Sequence, residues 1–156
     1  MREARTLGSW VIALFLAVML FWTAAEVLAP QPPTKNHLFE LFRDSSGFAF
    51  FEPTGRFVFG ALGVVAALLI LVPVTRRAGA ILATLLLAGM AALVGQLIML
   101  GIALPVDTLQ GGTVTTVETD PSALFYLVVA LLASAIALIF IHPGAEAEGP
   151  RRPYAA

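Results

Sequence analysis

The sequence predicts an all-α fold: a four-helix transmembrane bundle with an interfacial segment between spans one and two. Three observations predict it. Residues 7–25, 57–74, 78–104 and 123–141 carry no charged side chain, and each run has at least 18 residues. A hydrocarbon core of ~30 Å needs about 20 residues at ~1.5 Å each. Hydrophobic residues make up 59% of the chain and charged residues 12%, with a mean hydropathy of +0.91. Soluble domains carry about 25% charged residues. Finally, polar breaks separate the runs, at residues 26–56, 75–77 and 105–122. Residues 1–142 are therefore read as one transmembrane domain and 143–156 as a flexible cytoplasmic tail.

Span one runs from about Leu7 to Leu28 and meets Pro30 and Pro32-Pro33, through which no helix continues. Trp10 and Trp22 fall near its two ends, where indoles favour the headgroup region. Arg2 and Arg5 precede the run, and Thr23-Ala24-Ala25 has some cleavage-site character. The run exceeds the ~7–15 apolar residues of a signal peptide, so it is read as a retained span. In residues 36–52, Leu38, Leu41 and Phe42 share a helical face, with Glu40, Arg43 and Asp44 elsewhere. Phe48, Phe50 and Phe51 follow Gly47. This segment reads as a short helix and aromatic loop at the outer interface, the plainer alternative being an ordered loop.

Spans two and three form a tight hairpin joined by Thr75-Arg76-Arg77 after Pro73. Span three repeats small residues every four positions, Ala80, Thr84, Ala88 and Ala92, and then reaches Gln96. Gly79, Ala83, Ala91 and Gly95 form a neighbouring row. Small-xxx-small rows let membrane helices approach closely, which marks span three as the central packing helix. Gly111-Gly112 and the Thr/Val run to Glu118 suggest a short hairpin before span four, which ends at Pro143.

Six basic residues, Arg2, Arg5, Arg76, Arg77, Arg151 and Arg152, fall on one side of this layout, and Lys35, Arg43 and Arg56 on the other. The positive-inside rule puts both termini in the cytoplasm. Compact spans without glycosylation sequons point to a bacterial inner membrane. A net charge of −1 without a basic stripe argues against nucleic acid. The lack of cysteine removes disulfides, thiolate metal sites and CxxC redox pairs.

Glu26 stands at the outer end of span one, one turn past Trp22. A carboxyl at that depth can bind a proton, a quinone headgroup or a cation; the plainer reading is a solvated interfacial group. Gln96 can meet a carbonyl ligand or link two helices. Thr23, Thr84 and Ser134 are expected to bond their own helix backbones. His37, Glu40 and Asp44 at i, i+3 and i+7 share a helical face with ligand chemistry for a divalent metal, although such a face is usually just wet, and no metal is assigned. The chain has no GxSxG elbow, Walker sequence or HExxH helix, and no span holds two histidines. A complete enzyme is not expected.

Gly60-Ala61-Leu62-Gly63, the run from Ala67 to Pro73 and Thr75-Arg76-Arg77-Ala78-Gly79-Ala80 resemble the DoxX-like group of small four-span bacterial membrane proteins. That resemblance implies a four-helix bundle, with some members linked to quinone-reducing oxidoreductase complexes and oxidative-stress assemblies. The chain departs from the family where members often carry a glutamate after the glycine of span two, here Gly63 and Val64, and a histidine near Gln96.

The leading expectation is a non-catalytic accessory subunit of a membrane redox or energy-converting complex, with no cofactor of its own, in contact with membrane lipids and a larger complex or further copies of itself. A second is a quinone- or lipid-binding oxidoreductase component, with Glu26 and Gln96 meeting a headgroup beside Phe48, Phe50 and Phe51. A third is a small homo-oligomeric transporter or membrane-stress protein.

Overall fold

A computed structural model describes residues 2–29 and 37–141, with side chains from Thr6 onward. The prolines at 30, 32 and 33, the side chains of Arg2 and Arg5, Lys35, and the tail from His142 onward lie outside the described residues. In chain order the elements are α1 (Arg2–Leu28), α2 (Leu38–Ser46), a wide turn (Phe51–Gly55), α3 (Arg56–Leu71), α4 (Arg76–Met99), strands β1 (Leu104–Gln110) and β2 (Thr113–Thr119), and α5 (Ser122–Ile141). Among the described residues, four helices are long and apolar enough to cross a membrane: Thr6–Leu28, Phe51–Leu71, Arg76–Met99 and Ser122–Ile141.

These four form a ring in which α1 packs on α3 and α5, and α4 packs on the same two, so α1 and α4 stand diagonally. Each helix buries one stripe. On α1 it is Ala13, Leu16, Ala17, Leu20 and Ala24, at the three- and four-residue spacing that keeps side chains on one face. On α5 it is Val128, Leu131, Ala135 and Leu138. Lipid tails are as apolar as these side chains, so close fit rather than burial from water drives the association. The closest approach is at Gly79, where an added Cβ would lie 2.7 Å from the Ile70 backbone nitrogen and 2.9 Å from the Ala66 carbonyl. At Gly60 it would lie 2.6 Å from Leu28 Cγ. These contacts, and that of Gly95 with Phe125, fix an up-down-up-down order. One end of the bundle holds the start of α1 and the α3–α4 turn; α2 and the strands cap the other.

The packing face of α4 differs from the expected row. Ala80 is buried and Thr84 half-buried, but Ala88, Ala92 and Gln96 are exposed on the outside of the bundle. The buried row is Gly79, Ala80, Ala83, Leu87, Met90, Val94 and Leu97. A step of four residues advances about 40° beyond a full turn, so three such steps carry a row about 120° off the face where it began. Alternating steps of three and four stay on it. The tight turn also differs: it occupies residues 72–75, and Arg76 is already the first residue of α4 and is buried.

At the cap end, α2 turns Leu38, Phe39 and Phe42 inward. Phe39 lies 5.8 Å from the ring of Phe59, and Phe42 lies 5.9 Å from Phe51, so aromatic contacts seat this short helix on the mouth of α3. The strands form an antiparallel ribbon with Leu104 opposite Thr119 and Gln110 opposite Thr113, as the Gly-Gly signal suggests. Gly111 and Gly112 have φ of 58° and 86°, the double positive value that a two-residue hairpin turn requires and that glycine adopts without strain. Leu104 anchors β1 in the core, whereas every residue of β2 is exposed.

Candidate functional site

The polar side chains that join separate elements gather at the two ends of the bundle. At the cap end, His37 stands immediately before α2 and is held from both sides. Its Nδ1 lies 2.6 Å from Glu40 Oε2, one helical turn on, and its Nε2 lies 3.1 Å from Asp107 Oδ2 on β1. The His37 backbone N–H donates to the Pro105 carbonyl at 3.2 Å, and the Thr116 hydroxyl donates to Asp107 Oδ1 at 2.7 Å. The result is a chain Glu40–His37–Asp107–Thr116 running from α2 across both strands. The His37 side chain is 22% exposed and that of Asp107 15%. The Glu40 hydrogen bond, then the Asp107 bond and both negative charges, raise the His37 pKa above its ordinary 6.5, against partial burial that lowers it.

This cluster revises the metal reading of His37, Glu40 and Asp44. Asp44 pairs instead with Arg43 at 2.8 Å, and the third member is Asp107. The two carboxylates face opposite ring nitrogens, whereas a metal ion would need them to converge on the same nitrogen. Among the described residues no group of three His, Cys, Asp or Glu side chains could hold a metal. The cluster can hold and release one proton.

A second cap-end pair joins Glu52 and Arg56 at 3.3 Å on the first turn into α3, with Arg56 also 5.1 Å from the Phe57 ring. Glu26 is exposed and accepts a 2.8 Å hydrogen bond from Trp22 Nε1, one turn back on α1. Gln96 is exposed on α4, the helix diagonal to α1, so the bundle does not bring these two together. Phe48 and Phe50 are exposed, and Phe51 is committed to Phe42. Thr23, Thr84 and Ser134 bond carbonyls of their own helices, as expected.

At the opposite end lies a residue that sequence reasoning missed in kind. Arg76 is 1% exposed. Its Nε donates to the Ile70 carbonyl at 2.9 Å, its Nη1 to Ser9 Oγ at 3.2 Å, and its guanidinium carbon lies 4.0 Å from the ring centroid of Trp10. The arginine thus pins α1 to the end of α3. The nearest signal was the placement of Trp10 and Arg76 at the same bundle end, but that alone does not pair them. Asp107 gave no signal either, being 70 residues from His37.

Comparison with protein-family models, curated proteins and solved structures finds no match to this chain.

Proposed function

We propose that this chain is a multi-pass membrane protein that serves as a non-catalytic accessory subunit of a larger membrane complex. The distribution of polar groups carries the reading. Among the described residues, the buried polar side chains of the bundle are Ser9 and Arg76, both at one end. A path for a polar solute or a proton needs such groups through the depth of the membrane. The outside of α4 meanwhile presents Ala88, Gly89 and Ala92, followed by Gln96 nearer the cap. Small residues admit a partner helix at close range, and an amide beside them can bond across the contact. The redox or energy-converting nature of the complex is supported by the DoxX-like resemblance of residues 60–80. The distribution of arginines favours both termini in the cytoplasm, and compact spans without glycosylation sequons favour a bacterial inner membrane.

Extraction from native membranes in mild detergent through a C-terminal tag tests this. A stoichiometric membrane partner, photo-crosslinked from Ala88 or Ala92 but not from Phe140 on α5, is the expected result. A chain that runs alone and carries quinone would sink the reading.

A further inference from the structure

We propose that the outer edge of β2 pairs with the same edge of a second copy of this chain, joining two ribbons into one four-stranded sheet. The proposal stands apart from the subunit reading, since it needs no other protein. In a two-residue hairpin the residues flanking the turn exchange both ladder bonds, so Thr113, Thr115, Val117 and Thr119 bond β1. The N–H and C=O groups of Val114, Thr116 and Glu118 therefore point away from β1. No hydrogen bond reaches those groups among the described residues, and every residue of β2 is exposed. The strand carries no proline or lysine and the ladder no bulge, the devices that keep an edge from pairing. β1 is better guarded: Pro105 has no N–H to offer outward, and its carbonyl accepts the His37 N–H.

A second copy fits this edge by charge and by orientation. With antiparallel pairing centred on Thr116, that residue faces the partner's Thr116, and Val114 faces the partner's Glu118. Each of these outward pairs then exchanges two backbone bonds. Any other symmetric register loses at least one pair, and centring on Glu118 sets two carboxylates face to face. In the chosen register the two Glu118 carboxylates stand four residues apart along the strands, ~14 Å, beyond the ~8 Å screening length of physiological salt. Leu104 and Val106 share the ribbon face that packs on the core, so the bundle lies behind that face. Residues paired across a sheet share a face, so both bundles lie behind the same side of the joined sheet. The spans of the two copies thus stand side by side, as one membrane requires. A contact this small is weak between freely tumbling chains, but a bilayer already restricts their rotation and translation.

The full chain has no cysteine, so single cysteines report the pairing without background. Variants of the full chain are oxidised in native membranes, and disulfide-linked dimers are read on non-reducing gels. Opposed cysteines lie ~5.5 Å apart at Cα, within disulfide reach, whereas residues four positions out of register exceed the ~7 Å limit. We expect Thr116→Cys to crosslink to itself, and Val114→Cys and Glu118→Cys each to stay largely monomeric alone. Co-expressed with tags of different size, those last two should form the mixed dimer. Thr116→Pro removes an outward N–H while sparing the bonds to β1, so adding it to both chains should abolish the mixed dimer. Mixed crosslinking no greater than that of either single variant, or crosslinking that survives Thr116→Pro, overturns the proposal. So does a Thr116→Cys chain that crosslinks to a different protein instead of to itself, which would give the edge to another partner's strand.

Discussion

A guanidinium that is 1% exposed, stacked 4.0 Å from an indole, makes Arg76 a costly side chain to alter. It gives the Ile70 carbonyl near the end of α3 a donor in place of the helix's own next turn. Removing it strands that carbonyl and leaves a void between α1 and α3. Arg76→Ala should therefore destabilise the bundle by about 2–4 kcal/mol, combining a lost buried hydrogen bond with a cavity. Arg76→Met fills most of the volume and removes the desolvated charge, so it should cost less. Thermal unfolding in one detergent ranks the three proteins, and an alanine variant as stable as the parent would refute the role. The other two informative residues titrate with opposite signs. His37 has a raised pKa, so its contribution is complete below pH 6.5 and fades as pH rises through the shifted value. Asp120 accepts the Ser122 N–H at 2.8 Å ahead of α5, which lowers its pKa below 3.8; its contribution is present above 3.8 and fades as pH falls through the depressed value. Melting temperature should thus fall on the alkaline side in the parent and stay flatter there in His37→Gln.

Elements in this bundle are spaced by glycine, and the effects of adding one methyl group should differ by position. At Gly79 the new carbon meets backbone atoms of α3 at 2.7 and 2.9 Å, which cannot yield without parting the helices. At Gly60 it meets the Leu28 side chain, which can turn aside in part. At Gly89 nothing lies within 4 Å. Gly79→Ala should cost about 1–3 kcal/mol as overpacking, Gly60→Ala less, and Gly89→Ala nothing in the isolated chain. If all three behave alike in a melting series, the α3–α4 approach is not as drawn. The elements themselves were legible in the sequence, since a charge-free run of membrane length reports its solvent directly. Even the Gly111-Gly112 ribbon could be read, because its turn chemistry is local. The α4 face could not be read from a four-residue repeat, because Ala88 and Ala92 match Ala80 in size and differ only in angle about the axis. The His37–Asp107 pair and the Arg76–Trp10 stack lay beyond reach for another reason. Each joins residues distant in sequence, and only the closed ring of helices decides which distant side chains meet.

At the scale of the whole molecule, two polar ends are separated by an apolar middle. The Arg76 clasp lies beside the α3–α4 turn, the His37 chain lies in the cap, and the spans between them bury apolar side chains. Four antiparallel crossings oblige these ends to face different compartments, and the proposed orientation makes the α3–α4 turn the cytoplasmic end. Arg77 is exposed at the turn, while Ser45 and Gln110 are exposed in the cap. A membrane-impermeant maleimide should therefore label Ser45→Cys and Gln110→Cys in intact spheroplasts and leave Arg77→Cys untouched until the membrane is opened. Inverted vesicles should reverse the pattern. The background is clean because the chain has no cysteine of its own. Labelling of all three from one side would mean that a span fails to cross, and the ring of four would have to be redrawn. Labelling with the sides exchanged would leave the bundle intact but place the His37 cluster on the cytoplasmic side.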